Sequence, residues 1–233
     1  MALILHLETS TKICSVALSQ DGMILFSKAD TNGPSHAVQL GLFMDEALKV
    51  VEAKNLKLDA VAVSSGPGSY TGLRIGVSMA KGVCCGAGAQ LIAVPTLNLL
   101  ADQVRRKLKL PENALICPML DARRMEVYTA AFDAQGECLE KANALIVDEN
   151  SFAEKLQNHP IWFVGDGAEK CQEKIKSENA HFEKDVYPLA EAMMFLAEKA
   201  FQENKFENVA YFEPFYLKEF VATVSKKQII PTK

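Results

Sequence analysis

Any chemistry in this 233-residue chain has to start from the stretch Ser64-Ser65-Gly66-Pro67-Gly68-Ser69-Tyr70-Thr71-Gly72-Leu73-Arg74-Ile75-Gly76. A glycine-rich loop between a buried strand and a helix can turn several backbone N–H groups toward an anion, with the helix dipole adding its positive end. The order is neither GxxxxGK[ST] nor GxGxxG. On the residues alone, a phosphate cradle and a tight turn fit equally well. Glu8-Thr9-Ser10-Thr11 offers a carboxylate and hydroxyls that would suit a phosphate or a divalent ion, and it suits a turn too. Gly165-Asp166-Gly167-Ala168 repeats the first glycine loop on a smaller scale and reads first as a helix-entry turn. Asp121-Ala122-Arg123-Arg124 stands in the second half where Glu8-Thr9-Ser10-Thr11 stands in the first. Its plain role is a charged hairpin turn, with an ion pair worth under about 1 kcal/mol.

The remaining apparatus is thin. His6, His36, His159 and His181 form no HxxxH or HExxH pair, so two imidazoles do not share a helix face around a metal. Cys14, Cys84, Cys85, Cys117, Cys138 and Cys171 make no CxxC motif and lie mostly in apolar stretches, which reads as packing in a reduced, intracellular protein. The formal charge of −4 excludes a global basic field for holding nucleic acid. Residues 82–101 carry no charge, but Gln90, Pro95, Thr96, Asn98 and several glycines interrupt them. They read as helix end, buried strand and a new helix capped by Thr96, and not as a membrane span. The N-terminus lacks a basic n-region and a full apolar h-region, so export is not expected.

The elements that must position these residues come in two similar passes. Strands are expected at 2–7, 14–19 and 23–29, with a turn at Gln20-Asp21-Gly22. A helix at 35–54, a strand at 60–64, a helix at 72–89, a strand at 91–94 and a helix from Thr96 follow. The second pass has strands at 115–119, 126–132 and 138–147, and then a helix from Ser151 with a Ser151/Glu154 capping box. A strand at 161–164, a helix from Ala168, a weak strand near Val186 and a helix over 189–204 complete it. Both passes read βββαβαβα, two α/β halves with mixed sheets, divided as 1–108 and 109–233. Pro214 and the aromatics Tyr211, Phe212, Phe215, Tyr216 and Phe220 suggest that the segment from about 211 docks back on the body, and the end at Lys226, Lys227 and Lys233 is basic.

Two helices carry a further pattern. Gly72, Gly76, Ala80, Cys84 and Gly88 recur every four residues, a stripe that another backbone can approach closely. Between Gly72 and Ala89 only Arg74, Ser78 and Lys81 are plainly polar, so this helix needs cover on more than one side. In the preceding helix Ala37, Leu40, Phe43, Met44, Ala47, Leu48, Val50 and Val51 cover an arc wider than the ~100° stripe of a surface helix, while Val38 and Leu42 fall among its polar residues. An exposed apolar patch on the two helices marks a protein interface. Full burial within the chain is the alternative.

Several segments together carry a resemblance. They are Glu8-Thr9-Ser10-Thr11 with Cys14-Ser15-Val16-Ala17, Ser35-His36, and GPGSYTGLRIG from Gly66 to Gly76 followed by Ala80-Lys81-Gly82. Leu120-Asp121-Ala122-Arg123 with Glu126-Val127-Tyr128 complete the set. In this order they resemble the TsaB (YeaZ) family. Pro214-Phe215-Tyr216-Leu217 is similar to that family's closing Pro-x-Tyr-Leu-Arg, with Lys218 where arginine is usual. The resemblance spans residues 4–218.

It implies an α/β fold of the actin-like, Hsp70-like ATPase (ASKHA) type, built of two RNase-H-type halves. It also implies a partner subunit in forming N-threonylcarbamoyladenosine beside the tRNA anticodon. In that system the paralogue TsaD binds metal and transfers the threonylcarbamoyl group, and the ATPase TsaE assists. The resemblance therefore implies no catalytic residue and no tightly bound cofactor on this chain, with ATP and metal on the TsaD and TsaE partners. It further implies tRNA contact mainly through the complex, a homodimer when the chain is alone, no membrane, and a cytoplasmic location.

The partner interface is expected at Val38, Leu42, Gly72, Leu73, Gly76, Ala80, Val83 and Cys84. A vestigial phosphate or nucleotide site is expected at Glu8, Thr9, Ser10, Gly66, Gly68, Ser69, Gly165 and Gly167. A TsaD-like chain would carry HxxxH in its first long helix, whereas here Leu40 holds the second ligand position after His36. The alternative is a small-molecule kinase or nucleotide-binding protein of the same superfamily, with Asp121 and Asp166 as its candidate carboxylates. A metallopeptidase reading lacks a metal-ligand pair.

Overall fold

A computed structural model describes residues 2–31 and 36–218. The helix entry expected at Ser35, and Phe220, Lys226, Lys227 and Lys233 of the tail, lie outside the described residues.

The first pass forms β1 (Leu3–Glu8), β2 (Cys14–Gln20), β3 (Met23–Asp30), α1 (His36–Ala53), β4 (Ala60–Gly66), α2 (Tyr70–Ala87), β5 (Gln90–Pro95) and α3 (Thr96–Lys107). Its sheet runs β3-β2-β1-β4-β5, antiparallel across the first three strands and parallel from β1 to β4 to β5. The β2–β3 hairpin closes through Asp21 and Gly22, both at positive φ, as a two-residue turn of this hand requires.

The second pass forms β6 (Leu115–Asp121), β7 (Glu126–Asp133), β8 (Cys138–Ile146), α4 (Ala153–Asn158), β9 (Ile161–Val164), α5 (Ala168–Cys171) and β10 (Ala180–Glu183). A 3₁₀ turn (Ala190–Met193) then leads into α6 (Met194–Gln202). Its sheet runs β10-β9-β6-β7-β8, the same order read from the other edge. The duplicated pattern and mixed sheets expected from sequence are those observed.

Each sheet is covered on both faces, which is why β1, β4 and β6 read as nearly continuous apolar runs. Leu3, Leu5 and Leu7 of β1 and Val61 and Val63 of β4 face α1 and α2. On the opposite face, Ile4, Ala60 and Ala62 pack with Met193 and Ala197 from the end of the second pass. In return, Leu97, Leu100, Ala101 and Val104 of α3 pack on Ile116, Leu120, Phe132 and Val164 of the second sheet. The last helix of each pass thus covers the other pass's sheet. Arg106 of α3 also lies 3.8 Å from the Phe195 ring centroid of α6.

Several local expectations change in the structure. The second long helix starts at Tyr70, because Ser69 Oγ accepts the Gly72 N–H at 3.2 Å and caps it there. Thr96 does not cap α3: Pro95 holds that place, and Thr96 Oγ1 is buried without a hydrogen-bond partner. The Ser151/Glu154 capping box is absent. Ser151 Oγ instead donates to Asp148 in the preceding turn at 2.9 Å, and Phe152 enters α4 at φ +66°. The helix from Ala168 is a single turn, and the weak strand lies at Ala180–Glu183, ahead of Val186. Cys14, Cys84, Cys117 and Cys171 are buried, whereas Cys85 and Cys138 are exposed, so Cys85 is not a packing residue. Burial pushes the Cys14 and Cys117 thiols up to about 12, which keeps them neutral. No helix among the described residues is long and apolar enough to cross a membrane.

Candidate functional site

The first glycine loop leaves β4 and enters α2 directly above the end of β1, and the chain's own backbone fills the space around it. A Cβ on Gly68 would stand 2.4 Å from the Ser10 carbonyl oxygen, and one on Gly72 would stand 2.0 Å from that of Thr9. Ser69 N–H donates to the Ser10 carbonyl at 2.6 Å, and Thr9 Oγ1 donates to the Gly72 carbonyl at 2.8 Å. Gly66, at φ +107°, meets the Phe215 carbonyl, where a Cβ would approach to 2.5 Å. Phe215 N–H in turn donates to Ser65 O at 2.7 Å. The glycines are needed because three backbone segments converge here.

Glu8 is fully buried beneath this loop. Its carboxylate accepts the Ser10 N–H at 2.5 Å and the Ser64 hydroxyl. Burial pushes its pKa up, and the hydrogen bonds from Ser10 and Ser64 pull the other way. His36 Nε2 donates to the Thr11 carbonyl at 2.7 Å, and Leu40, at the second HxxxH position, is buried in the first core. Among the described residues, no group of three or more His, Cys, Asp and Glu side chains could hold a metal.

The second glycine loop repeats this construction. A Cβ on Gly165 would stand 2.4 Å from the Met119 carbonyl, and one on Gly167 would stand 2.8 Å from the Leu120 carbonyl carbon. Asp166 accepts the Asp121 N–H at 3.0 Å. Asp121 accepts the Arg123 N–H at 3.0 Å and pairs with Lys170. Burial and the neighbouring Asp121 charge push Asp166 up, while Lys12 and Lys170 oppose them. Both carboxylates of the kinase alternative are engaged in tying this turn.

The structure therefore brings Glu8, Thr9, Ser10, Gly66, Gly68 and Ser69 together in one place, and Gly165 and Gly167 in its counterpart. The expected interface residues divide. Gly72, Leu73, Gly76, Ala80 and Cys84 are turned into the chain's own core. A Cβ added at Gly76 would run into Thr9 Oγ1 and come up against Val63, so this position faces inward. The backbone that comes close to the start of the stripe is that of Thr9, at Gly72, and all five positions are buried within the chain, so they are corrected from interface to core. Val38 is 64% exposed and Leu42 54%. Val83, with Ile75 and Met79, is only partly buried, and Gly82 and Gly86 face open space. An apolar outer face therefore exists on α1 and α2, rotated from the stripe to its neighbouring side.

The segment from about 211 docks back on the first half as expected, but sequence reasoning missed the contacts by which it closes the loop. The rings of Tyr70 and Tyr216 pack against each other, tilted by 40°, with centroids 4.8 Å apart. Arg74 lies 4.4 Å from the Tyr70 centroid and donates from Nε to the Tyr216 hydroxyl at 3.3 Å. Lys218 then pairs with Glu126 of β7, so residues 215–218 cross from the first half to the second. The i,i+4 spacing of Tyr70 and Arg74 was the available local signal.

A family model described as TsaD, tRNA N6-adenosine threonylcarbamoyltransferase, matches residues 31–226. The tRNA threonylcarbamoyladenosine biosynthesis protein TsaB of Escherichia coli (strain K12) is 30% identical over 226 residues, which cover 94% of this chain and 96% of that one. The Bacillus subtilis (strain 168) protein of the same name is 29% identical over 166 residues, 70% of each chain. Among solved structures, YeaZ from Pseudomonas aeruginosa aligns with a TM-score of 0.75 at 24% identity, covering 93% of this chain and all of that one, 100%.

Proposed function

From the premise that the chain belongs to the TsaB (YeaZ) family, we propose that it serves tRNA threonylcarbamoyladenosine formation as a non-catalytic partner subunit of a TsaD-like paralogue. The outer face of α1 and α2 is its docking surface. The observation that carries this reading is Val38 and Leu42 of α1, two apolar side chains more than half in water, with Ile75, Met79 and Val83 of α2 only partly buried and Met79 lying against Gly41 of α1. Apolar side chains clustered this way on adjoining helices favour a protein partner.

The non-catalytic part of the reading draws support from the filled glycine loop. An anion would have to displace the Ser10 carbonyl from Ser69 N–H and the Phe215 backbone from Gly66. The kinase alternative requires a free phosphate loop and a free carboxylate, and both are occupied. ATP and metal then belong to the TsaD-like and TsaE-like partners, and tRNA is reached within the assembly. Alone, the chain covers the same face with a second copy.

The test is capture by an immobilised TsaD-like paralogue. The parent chain is expected to bind, and a Val38→Asp/Leu42→Asp chain to bind at least about tenfold more weakly with an unchanged melting temperature. Equal capture of both chains would remove the face from the interface. Tight, magnesium-dependent ATP binding by the isolated parent chain in calorimetry would overturn the non-catalytic reading.

A further inference from the structure

The turn between β6 and β7 holds two arginines in an unusual way. Arg123 and Arg124 follow one another at φ +70° and +52°. That left-handed backbone costs ~1–2 kcal/mol for each non-glycine residue. The turn is held from inside: Asp121 accepts the Arg123 N–H, and the Arg123 carbonyl accepts the Glu126 N–H at 3.1 Å. Both arginine side chains stand exposed.

The acids around them are already spent. Asp121 pairs with Lys170, Glu126 pairs with Lys218, and Asp166 accepts the Asp121 N–H. Among the described residues neither guanidinium forms an ion pair with an acid. The two lysine–carboxylate pairs cancel, and the two arginines outweigh the remaining carboxyl group of Asp166, so the local sign is positive although the chain as a whole is negative.

Flat surfaces lie beside this charge. Lys218 sits two residues after Tyr216, a reach of at most about 7 Å, and its pairing with Glu126 brings Tyr216, with the Tyr70 ring and Arg74 against it, to the edge that carries the Arg123–Arg124 turn. Phe215 is pinned by its backbone at Ser65 while the residue remains 49% exposed. An acidic protein segment would use the cations but has no need of the planar faces. Single-stranded RNA uses both, through phosphates and unstacked bases.

We propose that this edge is a contact surface for single-stranded RNA, in which Arg123 and Arg124 take phosphates and Phe215, next to Tyr216 in the chain, meets a base. The inference deepens the role in tRNA modification and rests on it. Arg123 and Arg124 lie in the second half and Phe215 is bonded to Ser65 of the first, so a bound strand would reach across both halves.

The test measures anisotropy of a fluorescent RNA stem-loop with the full chain, free and bound to its TsaD-like paralogue, between about 50 and 200 mM salt. Arg123→Gln/Arg124→Gln is expected to weaken binding about tenfold and to flatten the salt dependence by about 1.4 in log–log slope, ~0.7 for each lost single-strand contact. Phe215→Ala is expected to weaken binding several-fold with the slope unchanged. Melting curves establish that the variants are folded. No RNA binding by the parent, equal binding by the arginine variant, or equally tight binding of polyglutamate would each overturn the proposal. Paralogue capture of the same proteins separates the two readings. Unchanged RNA affinity with capture intact rejects the RNA surface alone, whereas failed capture of the parent rejects the partner assignment.

Discussion

Gly72 and Thr9 hold each other in a reciprocal contact. The Thr9 carbonyl occupies the place of a Gly72 Cβ, at 2.0 Å, while Thr9 Oγ1 donates to the Gly72 carbonyl at 2.8 Å. The end of β1 and the first turn of α2 are thereby joined with no room for a side chain between them.

Gly72→Ala should therefore destabilise the whole chain by about 3 kcal/mol or more, because the obstructing atom is backbone and does not swing away. Gly76→Leu should also impair folding, since its side chain would enter the core at Thr9 and Val63. Guanidinium titration checks both. A well-folded Gly76→Leu chain that lost only partner binding would contradict the inward orientation of the stripe.

Val38→Asp and Leu42→Asp should change stability by no more than about 0.5 kcal/mol each, because both side chains are largely in water already. Self-association should fall with them. Sedimentation velocity against chain concentration reads this directly.

Acid should destabilise the fold through His6. Its ring is fully buried in β1 and shares a 2.7 Å hydrogen bond with Ser19 Oγ, and burial lowers its pKa from 6.5 to about 3. Below pH 6.5 the unfolded chain takes up a proton that the folded chain refuses, so stability falls as pH drops toward 3. The slope approaches about 1.4 kcal/mol per pH unit. Glu8 works in the opposite sense. With its folded pKa raised above 4.5, it contributes stability that is complete below 4.5 and is lost as pH rises through the folded value. Glu8→Gln should thus steepen the acid loss above pH 4.5, while a variant replacing His6 with Gln should flatten it. Urea titrations across pH 4 to 7.5 measure both slopes.

Tyr216→Ala should loosen the closing segment without unfolding the body. It removes the ring contact with Tyr70 and the acceptor for Arg74, together worth about 1–2 kcal/mol. Hydrogen exchange over residues 211–218 should accelerate, with the protection of β1 and β4 unchanged.

The sequence alone determined the two βββαβαβα passes, because hydrophobic periodicity and turn residues act over a few positions and are repeated in the chain. It also determined the family, through motifs that name residue types in order, and it singled out Val38 and Leu42 as apolar residues on a polar side of their helix. Short elements were less legible. The expected cap at Ser151 lost to a local turn with Asp148, and the one-turn helix at Ala168 is too short to develop a period.

Only the tertiary structure decided which way the small-residue stripe faces. Spacing shows that a backbone can come close, but the approaching one is Thr9, more than sixty residues earlier in the chain. The same holds for the filled glycine loop, for Tyr216 on Arg74, and for Lys218 on Glu126. Each joins residues with no local relation, brought together only when two sheets exchange their last helices and the C-terminal segment crosses between them.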